Sequence, residues 1–221
     1  MQHLKRYFFY LVAAWCVACL FVRCYMNLAS FQTGRTTGDG NLELGVSYNE
    51  ARNVATYGIF PSDNGEDIYQ LDERSLAIEL DVKYGVTDNL DLSAVLSTAK
   101  LGISGKYNFY NYEKLFSFAG GLGVGRALGG TYIQSQIFAS YHPSKRLAFY
   151  LNPNYALALL EEYSTTTFRT DNLDFYGANL GFLVGDKIKV GADIGLFRMA
   201  ADRDQYNVLN LGIGAKIRFG D

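Results

Sequence analysis

The feature that most constrains this chain is an alternation of side-chain character with period two, clearest in residues 74–84 and 207–219. In the first stretch Leu76, Ile78, Leu80, Val82 and Tyr84 share one face of an extended chain, while Ala77, Glu79, Asp81 and Lys83 share the other, because successive side chains of a strand point to opposite sides. In the second, Leu209, Leu211, Ile213, Ala215, Ile217 and Phe219 oppose Asn210, Gly212, Gly214, Lys216 and Arg218. Formal charges at every second position do not enter a dry core unpaired. The charged face must therefore meet water or partner charges, and the other face must meet something apolar.

The same grammar recurs along the chain. Segments 41–49, 90–98, 101–109, 115–125, 131–141, 147–157, 173–184 and 188–197 also alternate, so that with 74–84 and 207–219 there are ten strands. The gaps at 85–89, 110–114, 142–146 and 185–187 are short and turn-like, whereas 50–73, 158–172 and 198–206 are longer and polar. Amphipathic strands joined by short turns are hairpins. An even strand number, short turns on one side, longer loops on the other and an apolar face throughout predict an all-β fold. It is a closed antiparallel up-and-down transmembrane β-barrel of about ten strands, with eight or twelve as alternatives. Both chain ends then lie on the short-turn side, and the two-residue gap Ala99-Lys100 is the exception to the rule of long loops.

The N-terminus reads as an export signal. Lys5 and Arg6 precede sixteen uncharged residues, 7–22, short of the roughly 20 apolar residues of a spanning helix. The organisation is then signal peptide 1–23, N-terminal periplasmic leader 24–39 and β-barrel domain 40–221. All three cysteines, Cys16, Cys19 and Cys24, fall in the first 24 positions, so the barrel has no disulfide framework. Their candidate role is lipid attachment, at Cys24 or alternatively Cys19. Residues 25–36 resemble the leader that follows the lipidated cysteine in envelope barrel lipoproteins of Gram-negative bacteria. Ordinary cleavage after Ala18 or Ala29, without lipid, stays open.

From residue 40 to the end the chain resembles a small outer-membrane β-barrel protein of Gram-negative type. The resemblance implies residence in the outer membrane and contact with its lipid. It also implies recognition of the C-terminal strand by the barrel-assembly machinery through a terminal aromatic residue. Phe219 fits in kind, although Gly220 and Asp221 follow it.

Several function classes recede on composition and spacing. Net charge is −2, and removing the signal takes Lys5, Arg6 and Arg23 with no acid, leaving −5; no basic field exists for nucleic acid. Gly121, Gly123 and Gly125 recur inside a strand with no helix after them, unlike a dinucleotide fingerprint. Instead, glycines on the inner face leave room for tall neighbours such as Lys or Arg. Outside the signal the only histidine is His142, in an expected turn, so a catalytic dyad is hard to build. Asp63, Glu66 and Asp67 lack the order of a calcium loop, and neither a metal nor a cofactor is called for.

What remains is the interior. Glu43, Glu79, Asp81, Lys83, Asp91, Lys106, Lys189, Asp193, Lys216 and Arg218 are expected to fill the lumen as an ion-pair network. Lys216 and Arg218 lie on the strand that closes the ring against Glu43. Pro153 sits within a strand and cannot donate to the ladder, so a bulge in the wall is expected there. Tyr48, Tyr84, Phe109, Tyr141, Tyr155 and Phe219 are the candidate aromatic belt. The reading is a non-enzymatic outer-membrane barrel, structural or a narrow small-solute channel. The alternatives are a lipocalin-like barrel with an apolar ligand inside, or partner binding through the long loops.

Overall fold

A computed structural model describes residues 31–53, 75–98, 100–112, 115–127, 130–163, 168–201 and 204–220. Ten strands follow one another: β1 Leu42–Asn53, β2 Ser75–Thr87, β3 Leu90–Ser97, β4 Lys100–Tyr112, β5 Phe116–Ala127, β6 Gly130–Ser144, β7 Leu147–Tyr163, β8 Phe168–Gly185, β9 Ile188–Ala201 and β10 Asp204–Phe219. Each pairs antiparallel with its neighbours in sequence, and β1 pairs with β10, from Leu42↔Phe219 to Asn53↔Val208, to close the barrel. Closure leaves no strand edge unpaired.

The alternation sorts the two faces as period two requires. Along β2, Leu76, Ile78, Leu80, Val82 and Tyr84 are exposed on the outside while Lys83 is 3% exposed inside. The barrel is thus apolar outside and charged inside, the reverse of a lipocalin-like carrier. Among the described residues, outward charges lie beyond the apolar face: Glu50 pairs with Arg52 on β1, and Asp174 accepts a 2.5 Å hydrogen bond from Tyr155 Oη on β7.

Several boundaries differ from the sequence reading. The segment 158–172 is not a loop, because β7 continues to Tyr163 and pairs with β8 from Leu159↔Asn172 to Tyr163↔Phe168. The segment 198–206 is likewise largely ladder, with Asp204↔Ala201, Gln205↔Ala200 and Tyr206↔Met199 in register. Above the apolar band the strands need not alternate in polarity, so a pattern-based boundary falls short while the hydrogen-bonded hairpin runs on. Most of the expected loop 50–73 lies outside the described residues.

No bulge occurs at Pro153. Gln136↔Asn154 and Ala139↔Leu151 keep the same register on either side of it, and Pro153↔Ala178 holds on the β8 side. The missing N–H leaves an unpaired step opposite Ile137 and Phe138 without inserting a residue. The register shift of this hairpin lies between Tyr141 and Ser144, beside Pro143.

The described part of the leader departs most from expectation. Residues 31–37 do not precede the barrel but run inside it. The chain reverses at the rim through Gly38 and Gly40, whose φ values of 87° and 70° are disfavoured for residues with a Cβ. Gly40 N donates to Gly85 O at 2.9 Å and Gly85 N to Asn41 O at 3.0 Å, which pins the reversal to β2.

Candidate functional site

The lumen is built in three layers. At the turn end, where the short turns and residues 38–40 lie, an ion-paired layer crosses the seam between β10, β1 and β2. Lys83 Nζ lies 3.3 Å from Glu43 Oε1 and 3.0 Å from Asp81 Oδ2; Lys216 Nζ lies 3.3 and 3.5 Å from the same two atoms. Two lysines and two carboxylates thus share one box. Gly45 makes the room, since a Cβ there would come within 2.0 Å of Asp81 Oδ1. Two further pairs flank it: Lys106 with Asp91 at 3.2 Å, and Lys100 with Glu79 at 3.0 Å.

The leader threads between these pairs. Thr37 N donates to both carboxylate oxygens of Asp91, at 2.9 and 3.1 Å, and Lys106 Nζ donates to the carbonyls of Arg35, at 2.6 Å, and Thr33, at 3.3 Å. Further back along the leader, Asn108 Nδ2 donates to Gly34 O at 2.7 Å, Gly34 N to Ser140 Oγ at 3.0 Å, and Asn152 Nδ2 to Gln32 O at 2.8 Å. Each donor or acceptor comes from the wall, so these six peptide groups of the leader are paired, as buried backbone favours. Phe31 ends the described segment at 7% exposure; a Cβ on Gly212 or Gly214 would meet its ring at 2.8 or 3.3 Å.

Beyond Phe31, toward the long-hairpin end, the lumen turns apolar. Ala51, Ala127, Tyr132, Ala156, Ala158, Phe175, Phe197 and Val208 form a buried cluster, with Leu173 and Met199 against it. Between leader and cluster the cavity bordered by Glu79, Lys100, Gln134 and Gln136 measures about 50 Å³, room for ordered water and little else. The inner glycines serve these rings more than any long cation. A Cβ at Gly121 would approach Phe138 to 2.9 Å, one at Gly102 would reach the Tyr132 hydroxyl at 2.1 Å, and one at Gly181 would meet Tyr150 at 2.5 Å.

Of the residues singled out in the sequence, Glu43, Asp81, Lys83 and Lys216 are brought together, while Glu79, Asp91 and Lys106 form the flanking pairs. Asp193 stands apart from them, accepting from Tyr150 Oη at 3.4 Å. Lys189 and Arg218 line the turn-end vestibule. Cys19 and Cys24 lie outside the described residues. Lys100 joins the flanking pairs although it falls in the gap Ala99-Lys100 of the sequence pattern: β4 begins at Lys100, and its parity with Gly102 and Ser104 places it inside. Tyr132, Phe138, Tyr150, Phe175 and Phe197 were missed because aromatic residues occur on both faces of this chain.

His142 is in β6, not in a turn, and is buried at 8% exposure. Its Nε2 lies 2.8 Å from Ser140 Oγ. The contact has the residue types of a hydrolytic dyad, but that oxygen also accepts the Gly34 N–H, and no carboxylate among the described residues contacts the ring. The serine is thus capped by the leader, and the described residues place no carboxylate to orient the imidazole as a hydrolytic triad does.

No family model matches the chain, and no curated protein matches it. Solved structures resemble it in fold. The attachment invasion locus protein Ail of Yersinia pestis, in complex with the heparin analogue sucrose octasulfate, shares 15% identity over 82% of this chain and 99% of its own, with a TM-score of 0.39. An outer-membrane channel from Pseudomonas putida F1 shares 10% over 87% and 100%, with a TM-score of 0.46. The NanC porin shares 10% over 80% and 98%, at 0.45. With TM-scores under 0.5 the likeness carries no argument, and the functional reading rests on this chain's own wall and lumen.

Proposed function

We propose that this protein is a non-enzymatic outer-membrane β-barrel of a Gram-negative bacterium, a structural envelope component whose lumen is closed to free diffusion. The carrying observation is sidedness: ion pairs inside and a continuous apolar wall outside. On β10 that wall runs from Leu209 to Phe219, about 33 Å along the strand and about 25 Å in height at a tilt near 40°, the height of the apolar band of such barrels. Tyr84, Phe109, Tyr141 and Phe219, all exposed, ring its lower margin, in keeping with an aromatic belt at that interface, while Tyr48, opposite Ile213, sits at mid-wall.

The filled lumen favours a structural role over the narrow channel. Leader, ion pairs and apolar cluster occupy successive levels, whereas a channel needs a continuous aqueous path. Outer-membrane lipid is then the principal partner, with recognition by the assembly machinery through β10 and Phe219. Lipidation at Cys24, or at Cys19, would tether the leader. Loss of palmitate labelling in Cys24→Ser assigns the first; its persistence there and loss in Cys19→Ser assigns the second.

The test is fractionation of the native protein followed by planar-bilayer recording. Retention in the outer membrane after a carbonate wash, a mobility shift on boiling and no steady conductance are the expected results. Release by carbonate refutes membrane residence, and a steady ohmic conductance refutes the closed lumen.

A further inference from the structure

The turn end of the lumen opens into a vestibule of about 580 Å³ between the leader, β6–β7 and β8–β9, within the size range of small-molecule sites. Its charge is unlike that of the layer above. There each lysine has its carboxylate. Below, among the described residues, the lining holds Arg35, Lys145, Arg146, Lys187 and Lys189 against a single further carboxylate, Asp186; Glu43, also on the lining, is shared by Lys83 and Lys216. The cationic lining is local, because the protein as a whole is acidic.

Two cations are placed by the fold and not by chance exposure. Arg35 is fixed at its backbone, its carbonyl accepting from Lys106 Nζ at 2.6 Å. Its Nε is buried with no hydrogen-bond partner, and burial lowers the guanidinium pKa from its ordinary value. Lys189 forms no salt bridge among the described residues; it feels attraction from Glu43 and repulsion from Arg218, Lys83 and Arg35. A half-buried guanidinium without an acceptor among the described residues, beside an ammonium that makes no salt bridge, is an arrangement completed by an anion. One carboxylate would neutralise one of them, while several cations around one cavity favour an anion carrying several charges. Arginine's planar fork and the lysines' point charges together match phosphate oxygens.

We propose that the turn-end vestibule binds a small anion bearing more than one phosphate charge, held chiefly by Arg35 from the leader and Lys189 from β9. Such a ligand would bridge leader and wall, so its occupancy and the seating of residues 31–37 are coupled. The phosphate could belong to a soluble diphosphate or to a lipid headgroup reached at the rim.

The experiment is isothermal titration calorimetry on the folded full chain in detergent, near 0.15 M salt, where surface attraction is screened beyond about 8 Å. Inorganic pyrophosphate is the first probe and glycerol 1,3-bisphosphate, a soluble stand-in for a lipid headgroup with two phosphates, the second. Saturable binding of at least one is expected, about ten-fold weaker for Arg35→Gln and again for Lys189→Gln. The tighter probe identifies the source. The heat-modifiable band establishes folding of each variant, and Lys187→Gln, at the exposed turn, serves as a second charge removal should Lys189→Gln fail to fold. Absence of binding by both probes, or affinity unchanged in the folded variants, overturns the proposal.

Discussion

Replacing Glu43 by Gln tests whether the box at the barrel seam is one electrostatic unit. Glu43 Oε1 stands 3.3 Å from both Lys83 Nζ and Lys216 Nζ, and Asp81 Oδ2 stands 3.0 and 3.5 Å from them. At an effective dielectric constant of about 20, each 3.3 Å contact is worth about 5 kcal/mol of attraction before desolvation is charged against it. Because Lys83 and Lys216 are 3% and 5% exposed, the substitution leaves two buried cations sharing one carboxylate. The expected net loss is about 3–5 kcal/mol, the cost of removing one partner from a buried pair. Lys216→Met alone leaves two carboxylates on one lysine, at a similar cost. The double variant restores neutrality through Lys83–Asp81, so its loss should fall well short of the two single losses combined, by more than about 2 kcal/mol. Urea unfolding in lipid vesicles, followed by far-UV circular dichroism and heat-modifiable mobility, gives the cycle; the one tryptophan, Trp15, precedes the barrel strands in sequence and offers no fluorescence handle in them. Additive losses, or a single loss under about 1 kcal/mol, would refute the shared box.

Further consequences follow from the same geometry. In Gly34→Val the new Cβ would meet Ser117 O at 2.4 Å and Phe138 O at 3.0 Å, backbone atoms that cannot give way. The leader should unseat, and trypsin should then cleave after Arg35 in the folded variant but not in the parent; equal resistance in both contradicts the lumenal leader. Leu122, 69% exposed on the outer wall, should cost about 2–4 kcal/mol as Arg in a bilayer, and a loss near zero would argue against a lipid-facing wall. Phe175→Ala, in the apolar cluster, should cost about 3–5 kcal/mol; thermal unfolding reads it, and indifference would mean the outer half of the lumen is not packed.

The division between what the chain declares and what only folding decides is visible in particular residues. Alternation is a property of neighbours, so Leu76 to Tyr84 and Leu209 to Phe219 announce their strands, their two faces and the ten-strand count without any tertiary knowledge. The gaps at 85–89 and 185–187 likewise announce hairpins through their own turn residues. Contents of the lumen are another matter. Glu43 meets Lys216 not as a direct cross-strand neighbour, since Glu43 is in register with Arg218, but along a diagonal set by strand tilt and closure. Asp91 takes Thr37, and Asn152 takes Gln32, across 54 and 120 residues of sequence, for which no local period exists. The leader's polar composition suits a free tail as well as a buried strap; only a closed wall presenting Asn108, Ser140 and Asn152 inward makes it a strap. The sequence alone therefore determined the wall, because each strand carries its own inside and outside. Closure decided the filling, because the lumen joins side chains from every strand at once.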